Sequence, residues 1–459
     1  MACLRKKAKI AKKRTFARRK RKILHSLYFY AEKPNEGIRY IAREIWLNFG
    51  GFQDFTIIDH LSQLPTEEVH LIYFGQKPPN EEVFFLFQDA DFWLAAQNFQ
   101  ACGLPVFRDS GAIGQKEDFL AFAFYVLSGY HFYFQQDKDE HGRYLKENYP
   151  FKNQLKTPFL QKAFERLFQH MNTFFQCEFQ RKTPRSRQHI TFDIDWPFFF
   201  KGKPLPIQVG SLAKDAWQWN FRLLGQKCKM ALELEKDVFD TYDLIQKHIH
   251  KNNPQKEITF FMLLNGKSKH DNRFRAENKH LLQLIQKIKK NNFHIGYHAA
   301  YESFCDEKFW KEGLQSLAAI TKTQITKNRQ HFLKFRYPNT FEYMEKSGIQ
   351  DDYSVLFSQI SPFPMGVARP FHWFNLAQFR ETKLRLHTGG LMDRTFLKMG
   401  VEKKEVPAYY KSYLQEVKKH KGEALFIFHN NTFSNFGEWE GWQSLWCDIL
   451  EMIQNADCS

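Results

Sequence analysis

The sequence contains no Cys-x-x-Cys pair, no run of the ~20 apolar residues needed to span a bilayer, and no acidic residue among its first 22 positions. Each absence excludes something. The seven cysteines (Cys3, Cys102, Cys177, Cys228, Cys305, Cys447 and Cys458) are scattered and odd in number. They do not form a disulfide framework or a paired-cysteine zinc site, and they read as reduced thiols of a cytoplasmic protein. No transmembrane helix is expected. No secretory leader is expected either, because the basic start is not followed by an apolar stretch. Residues 1–22 hold twelve Lys and Arg, leaving +5 of the formal +17 for the rest of the chain. Such an arm, poor in residues to bury, reads as a solvated, disordered extension suited to anionic surfaces. No nucleic-acid-binding module follows it, so no specific nucleic-acid partner is expected.

What is present is an aromatic globular chain. Its 459 residues suffice for two or three domains, and its 49 Phe imply an aromatic core. Residues 23–150 alternate short apolar runs with polar turns. Gly37 to Asn48 predicts a helix with Ile38, Ile41, Ala42 and Ile45 on one face. Val69 to Phe74 and Val83 to Phe87 predict strands. Asp118 to Tyr130 predicts an apolar helix, and 158–176 an amphipathic one. Asp137-Lys138-Asp139-Glu140-His141-Gly142-Arg143-Tyr144 is a polar cluster that could form a site, and it reads as a surface turn. These elements make a smaller α/β domain over 23–180, and basic, proline-containing residues 181–187 make a linker.

From residue 188 strand-like and helical runs alternate. Strands are predicted at His189–Asp193, Ile258–Leu264, Phe293–Tyr297, Tyr353–Phe357 and Ala424–Phe428. Helices are predicted at 237–250, 276–290, 307–320, 339–347, 406–419 and 440–454. That alternation predicts a parallel α/β fold, whose sites lie at the C-terminal ends of the strands. The organising stretch is Thr191-Phe192-Asp193-Ile194-Asp195-Trp196. Residues i and i+2 of a strand share a face, so Asp193 and Asp195 project together. Two carboxylates that close call for a cation or separate hydrogen bonds. His298, His331 and His429 follow other predicted strands. Imidazole and carboxylate suit a divalent first-row metal, and a catalytic zinc takes about three protein ligands.

At these residues the sequence resembles the polysaccharide deacetylases of the NodB-homology class, carbohydrate esterase family four, over residues 188–455. Thr191-Phe192-Asp193-Ile194-Asp195 looks like the first motif and Gly296-Tyr297-His298 with Ser303 like the second. Arg329-Gln330-His331 looks like the third, Asp352-Tyr353 falls where the fourth begins, and Ile427-Phe428-His429 looks like the fifth. Arg369-Pro370-Phe371, Met392-Asp393, Gly437-Glu438-Trp439 and Gly441-Trp442 resemble a Bacteroidetes-type subgroup. In that subgroup a domain of unknown function precedes the deacetylase domain.

The resemblance implies a distorted parallel (β/α) barrel over 188–455. It implies Asp193 as catalytic base, Arg329 as the group that orients it and His429 as general acid. Asp195 and His298 become ligands of one divalent ion, with zinc the expected one. The family's second motif carries a further histidine where this chain has Glu302. The third ligand is therefore His331 or Glu302, with His331 preferred because imidazole is the family's usual ligand. The implied reaction removes N-acetyl groups from a sugar or polysaccharide precursor in envelope or exopolysaccharide metabolism. The rival is a non-catalytic carbohydrate-binding or envelope-assembly protein on the same fold. Trp196 and Trp373 are candidates for stacking on sugar rings.

Overall fold

A computed structural model describes residues 26–66, 69–105, 117–182, 184–249, 253 and 255–456; the basic arm, and the expectation that it is dispensable, lie outside them. The chain forms two compact units, one of residues 1–134, 159–184 and 371–382, the other of 135–158, 185–370 and 383–459. The contiguous unit 23–180 expected from sequence thus differs in two segments. Residues 135–158 group with the second unit, and a hairpin from the distal half of the chain groups with the first.

The first unit is built on a four-stranded parallel sheet. Strand β1 (Leu27–Ala31) lies between β2 (Phe55–Ile58) and β3 (His70–Gly75), and β4 (Phe84–Phe87) pairs with β3. Helix α1 (Glu36–Ala42) starts where it does because the Asn35 side chain accepts from the Ile38 amide. After α2 (Ala90–Gln97), helix α3 (Phe119–Leu127) is capped by Asp118, which accepts from the Ala121 amide, and is buried along its whole length. The short α4 (Tyr130–Phe134) and the amphipathic α5 (Phe159–Phe175) complete the unit. The aromatic richness is spent here: Trp46 stacks on Phe55 at 5.3 Å and meets Phe29 at 5.4 Å. Trp373, a sugar-platform candidate on sequence, is instead fully buried in this unit.

The second unit is built on a parallel sheet whose neighbours run β11-β9-β8-β7-β6-β5-β13-β12. Strand β5 (Arg187–Ile194) is flanked by β6 (Lys256–Met262) and by the late strand β13 (Glu423–His429). Between β5 and β6 lie α6 (Leu205–Trp217), α7 (Phe221–Ala231) and the short α8 (Tyr242–Lys247). Then follow α9 (Lys279–Lys290), β7 (His294–Ala299), α10 (Glu307–Thr321), β8 (Lys327–Gln330), α11 (Asn339–Lys346) and the two-residue β9 (Asp351–Asp352). Strand β10 (Phe371–Asn375) belongs to the first unit, and β11 (Arg380–Leu386) ends in the second, pairing with β9. The chain closes with β12 (Leu391–Met392), α12 (Asp393–Lys398), α13 (Val406–Lys419), β13 and α14 (Gln443–Asn455).

Closure of the distorted barrel that the resemblance implies is not shown: among the described residues no ladder joins β12 to the opposite end of the sheet. The strand expected over Tyr353–Phe357 is not formed either; the ladder ends at Asp352, whose carboxylate takes the Ser354 amide and hydroxyl and turns the chain. The helix expected over 237–250 shrinks to α8.

The sheet is nonetheless curled, as a chain of buried and half-buried side chains shows. Glu423 at the start of β13 accepts from His189 Nε2 at 3.0 Å and from His387 Nδ1 at 3.1 Å. His387 Nε2 reaches Asp351 of β9 at 2.9 Å, and His189 Nδ1 stands 3.5 Å from Glu257 of β6. Four strands separate β13 from β9 in the sheet order, so only curvature brings these groups together.

This chain sets a pH dependence. Burial alone would lower the His189 imidazole, but the charges of Glu423 and Glu257 outweigh it and raise it to about 9. A folded-state value above the unfolded one stabilises fully below the unfolded value of about 6.5 and is lost as pH rises through about 9. Urea unfolding of the wild type should therefore show lower stability at pH 9.5 than at pH 6.5, by up to about 3 kcal/mol from this group. His189→Gln should flatten that difference; an unchanged slope would remove His189 as its source.

Candidate metal centre and active site

Parallel register brings the acids and bases together. Asp193 stands beside His429 on β13 and beside Phe261 on β6, and His298 on β7 stands beside Arg329 on β8. Because these strands run the same way, their C-terminal ends gather at one end of the sheet. Asp195 follows two residues after Asp193 on the same face, and His331 follows β8 directly.

Asp195, His298 and His331 form one cluster, with a ligand atom of each within 4.8 Å of the others. His298 Nε2 lies 3.1 Å from Asp195 Oδ1, and His331 Nε2 lies 3.5 Å from Asp195 Oδ2. Donors about 2.1 Å from a zinc-like centre stand about 3.4 Å apart in a tetrahedron, so these spacings fit one ion. The outer nitrogens are already committed. His298 Nδ1 donates to the Arg329 carbonyl at 2.8 Å, and His331 Nδ1 meets Asp271 at 2.9 Å. A carbonyl can only accept, so Nδ1 of His298 carries a proton, which leaves Nε2 as the ring nitrogen available to an ion at the cluster. Glu302, the alternative third ligand, is exposed and not part of the cluster.

Asp193 is held differently. Arg329 Nη1 donates to Asp193 Oδ1 at 2.6 Å and to Thr191 Oγ1 at 2.8 Å, and Nε donates to the Tyr353 carbonyl at 3.2 Å. Arg329 is fully buried, with its guanidinium 4.5 Å above the Phe261 ring. Phe261 also explains Gly296, where a Cβ would come 2.4 Å from that ring. Only one oxygen of Asp193 is tied to Arg329; Oδ2 lies 3.9 Å from His298 Nε2, at the cluster.

His429 Nε2 faces Asp195 Oδ2 at 3.7 Å, while Nδ1 meets Asp393 Oδ1 at 2.7 Å. Asp393 also accepts from the His429 amide and the Thr432 hydroxyl, so it is fixed before it orients the ring.

The titration shifts record crowded negative charge. Burial would raise Asp195, but the charges of His331 and His429 hold it well below its ordinary value. Burial would lower His331, yet Asp195 and Asp271 raise it to about 9. His429 is raised against burial too, by Asp393 and then Asp195. A divalent cation among Asp195, His298 and His331 would neutralise this excess.

The cluster opens into a cleft of about 400 Å³. Trp196, Phe332 and Met392 supply apolar wall, and Arg143, Lys269, Arg394 and Lys398 surround it, with Asp193 and Asp195 as the acids among its lining. Arg143 is paired with Asp139 at 2.7 Å and Arg394 with Glu438 at 3.2 Å. The acidic segment at 139–144 is thus a turn, tied by Asp139 to the amides of His141 and Arg143, and it also delivers Arg143 to the cleft. Sequence reasoning assigned no role to Asp271 or Asp393. Each is a single acid outside the strand pattern, and only the fold sets it behind a histidine.

Residues 27–176 match a family of unknown function, DUF7033. No curated relative matches the chain. Among solved structures, a putative polysaccharide deacetylase from Mycobacterium smegmatis aligns at 13% identity and a TM-score of 0.37, covering 60% of this chain and 87% of that one. A polysaccharide deacetylase from Bacillus cereus aligns at 12% and 0.27, covering 59% and 87%. A carbohydrate esterase family four pseudoenzyme from Bacillus anthracis aligns at 10% and 0.24, covering 59% and 63%. Likenesses at these scores carry no argument about activity, which rests on the site itself.

Proposed function

We propose that the second unit is a metal-dependent hydrolase that removes N-acetyl groups from an acetylated sugar or glycan. The observation that carries this reading is the division of labour within one acid pair. Asp195 faces two imidazoles at metal-ligand spacing, while Asp193 is held apart from them by Arg329. Asp195, His298 and His331 would hold the ion, for which zinc fits the donor set. The chemistry such an ion supplies is polarisation of the amide carbonyl and acidification of water.

The chain's own residues do the rest. Asp193 Oδ2 accepts the proton of the attacking water, while Arg329 and Thr191 keep Oδ1 and the guanidinium in place. The water oxygen adds to the acetyl carbon and the C–N bond breaks. His429 Nε2 gives its proton to the departing amine, with Asp393 holding Nδ1. The products are acetate and a free amino sugar. Trp196 offers a ring face beside the cleft, and Lys269 and Lys398 favour a sugar that carries an anionic group.

The test is acetate release from N-acetylated sugars, neutral and anionic, with metal-loaded protein. Wild type should release acetate, and His331→Ala should bind less zinc per chain, read by elemental analysis, and release acetate more slowly. Metal loss in catalytic-ligand variants of this kind removes the Lewis-acid contribution as a whole. If wild type releases no acetate from any member of the panel but binds the sugars, the carbohydrate-binding alternative replaces the enzyme.

A further inference from the structure

The helical hairpin α6–α7 is built inside out. Of its 24 helical residues, Asp215, Lys227 and Met230 are the buried ones. Lys227 Nζ bonds Asp215 Oδ2 at 2.5 Å and Ser211 Oγ at 2.7 Å, so an ion pair and a hydroxyl occupy the position where a soluble hairpin places leucines. The outward face of α6 is an i, i+4 stripe of Leu205, Val209, Ala213 and Trp217, all exposed. Eight of the fourteen large hydrophobic side chains exposed among the described residues fall between 205 and 234. At the tip Trp217 is 86% exposed and Trp219 78%, with Phe221 packed edge-on to Trp219 at 5.7 Å. Lys214 and Arg222 bracket these rings, and neither has an acidic partner among the described residues. A concentrated exposed apolar patch marks an interaction surface.

We propose that the α6–α7 hairpin is an interfacial membrane anchor that seats its Trp217-Trp219-Phe221 tip and outer stripe in an anionic phospholipid surface. The charge pattern favours lipid as the occupant. Tryptophans take the headgroup boundary, and the free cations beside them meet anionic headgroups. A helix of 13 residues is about 20 Å long, too short for the ~30 Å hydrocarbon core, so the hairpin lies in the interface and does not cross it. In agreement, no described helix is long and apolar enough to cross a membrane. At the base of the hairpin, Pro204 and Ile207 line a cavity of about 370 Å³ with Trp196 and Lys269, which also line the catalytic cleft. Seating the hairpin therefore brings the cleft to glycans held at a membrane surface; that last step alone rests on the deacetylase reading.

The experiment is co-sedimentation of the full chain with vesicles of phosphatidylglycerol and phosphatidylcholine, against phosphatidylcholine alone. Wild type should bind the anionic vesicles preferentially and less tightly at high salt. The triple variant Trp217→Ser/Trp219→Ser/Phe221→Ser should bind at least about tenfold more weakly. Deletion of residues 1–22 in the wild-type background separates the basic arm from the hairpin, and binding through the hairpin should survive it. Trp217→Phe/Trp219→Phe keeps the apolar tip; it should still bind while losing tryptophan quenching by lipids brominated on their acyl chains. Equal binding of wild type and the triple variant overturns the proposal. So does light scattering that shows a wild-type dimer, without lipid, which the triple variant dissociates, because the patch is then covered by a second copy. None of these readouts depends on acetate release.

Discussion

Replacing Asp193 with asparagine should slow acetate release by about 10² to 10⁴-fold, the usual worth of a general base, while zinc per chain stays at the wild-type level. The geometry makes this a clean substitution. The Asn oxygen can still accept from Arg329 where Oδ1 now sits, so the side chain keeps its place and loses only the proton acceptor. Asp195→Asn is the contrast. Asp195 faces both His298 Nε2 and His331 Nε2, so its loss should lower metal content together with rate. Two acids two residues apart would then fail in different ways. An Asp193→Asn protein at full rate, or one that fails only because it has lost zinc, would dissolve the division of labour on which the proposed function rests.

Asp193, Asp195 and His429 were legible in sequence because they end largely apolar runs. Phe192 and Ile194 of β5 and Leu425 to Phe428 of β13 are buried, and hydropathy marks such strands without help from tertiary structure. Strand β8 was hidden by the opposite circumstance. Asn328, Arg329 and Gln330 are polar yet buried, each hydrogen-bonded to a side chain of another element: Asp352, Asp193 and Trp310. No periodicity reports a strand whose inward side chains are polar. The Tyr353–Phe357 run misled in the other direction, since it is apolar and buried but its backbone turns under the Asp352 carboxylate.

The hairpin escaped notice for a related reason. Its apolar stripe has helical spacing, but its polar face is the inward one, so amphipathicity alone cannot tell which side a chain buries. The strand order of the sheet and the exchange of segments 135–158 and 371–382 between units are long-range facts with no local signature. Asp271 and Asp393 belong to the same class. A lone acid outside the strand pattern becomes meaningful only when a ring nitrogen is found 2.9 Å or 2.7 Å away.

Arg329→Met should be the most destabilising change in the site, costing about 3–5 kcal/mol in urea unfolding, the typical cost of removing one partner of a buried ion pair. The reason lies in the solvation of what remains. Arg329 is fully buried and Asp193 nearly so, and their 2.6 Å bond substitutes for water at both charges. With methionine at 329 the carboxylate keeps its burial and loses its counter-charge, and Thr191 Oγ1 and the Tyr353 carbonyl lose their donors as well. The coupling can be isolated with the double variant Asp193→Leu/Arg329→Met. Removing both charges leaves an apolar pair beside Phe261, and such replacements are often neutral or stabilising relative to the broken pair. The double variant should therefore recover much of the stability lost in Arg329→Met while releasing no acetate. Stability returning without activity would place Asp193 in the site for its chemistry and Arg329 as the group that makes its burial tolerable. If instead the double variant is as unstable as the sum of its parts, the two charges do not compensate each other, and the role given to Arg329 falls.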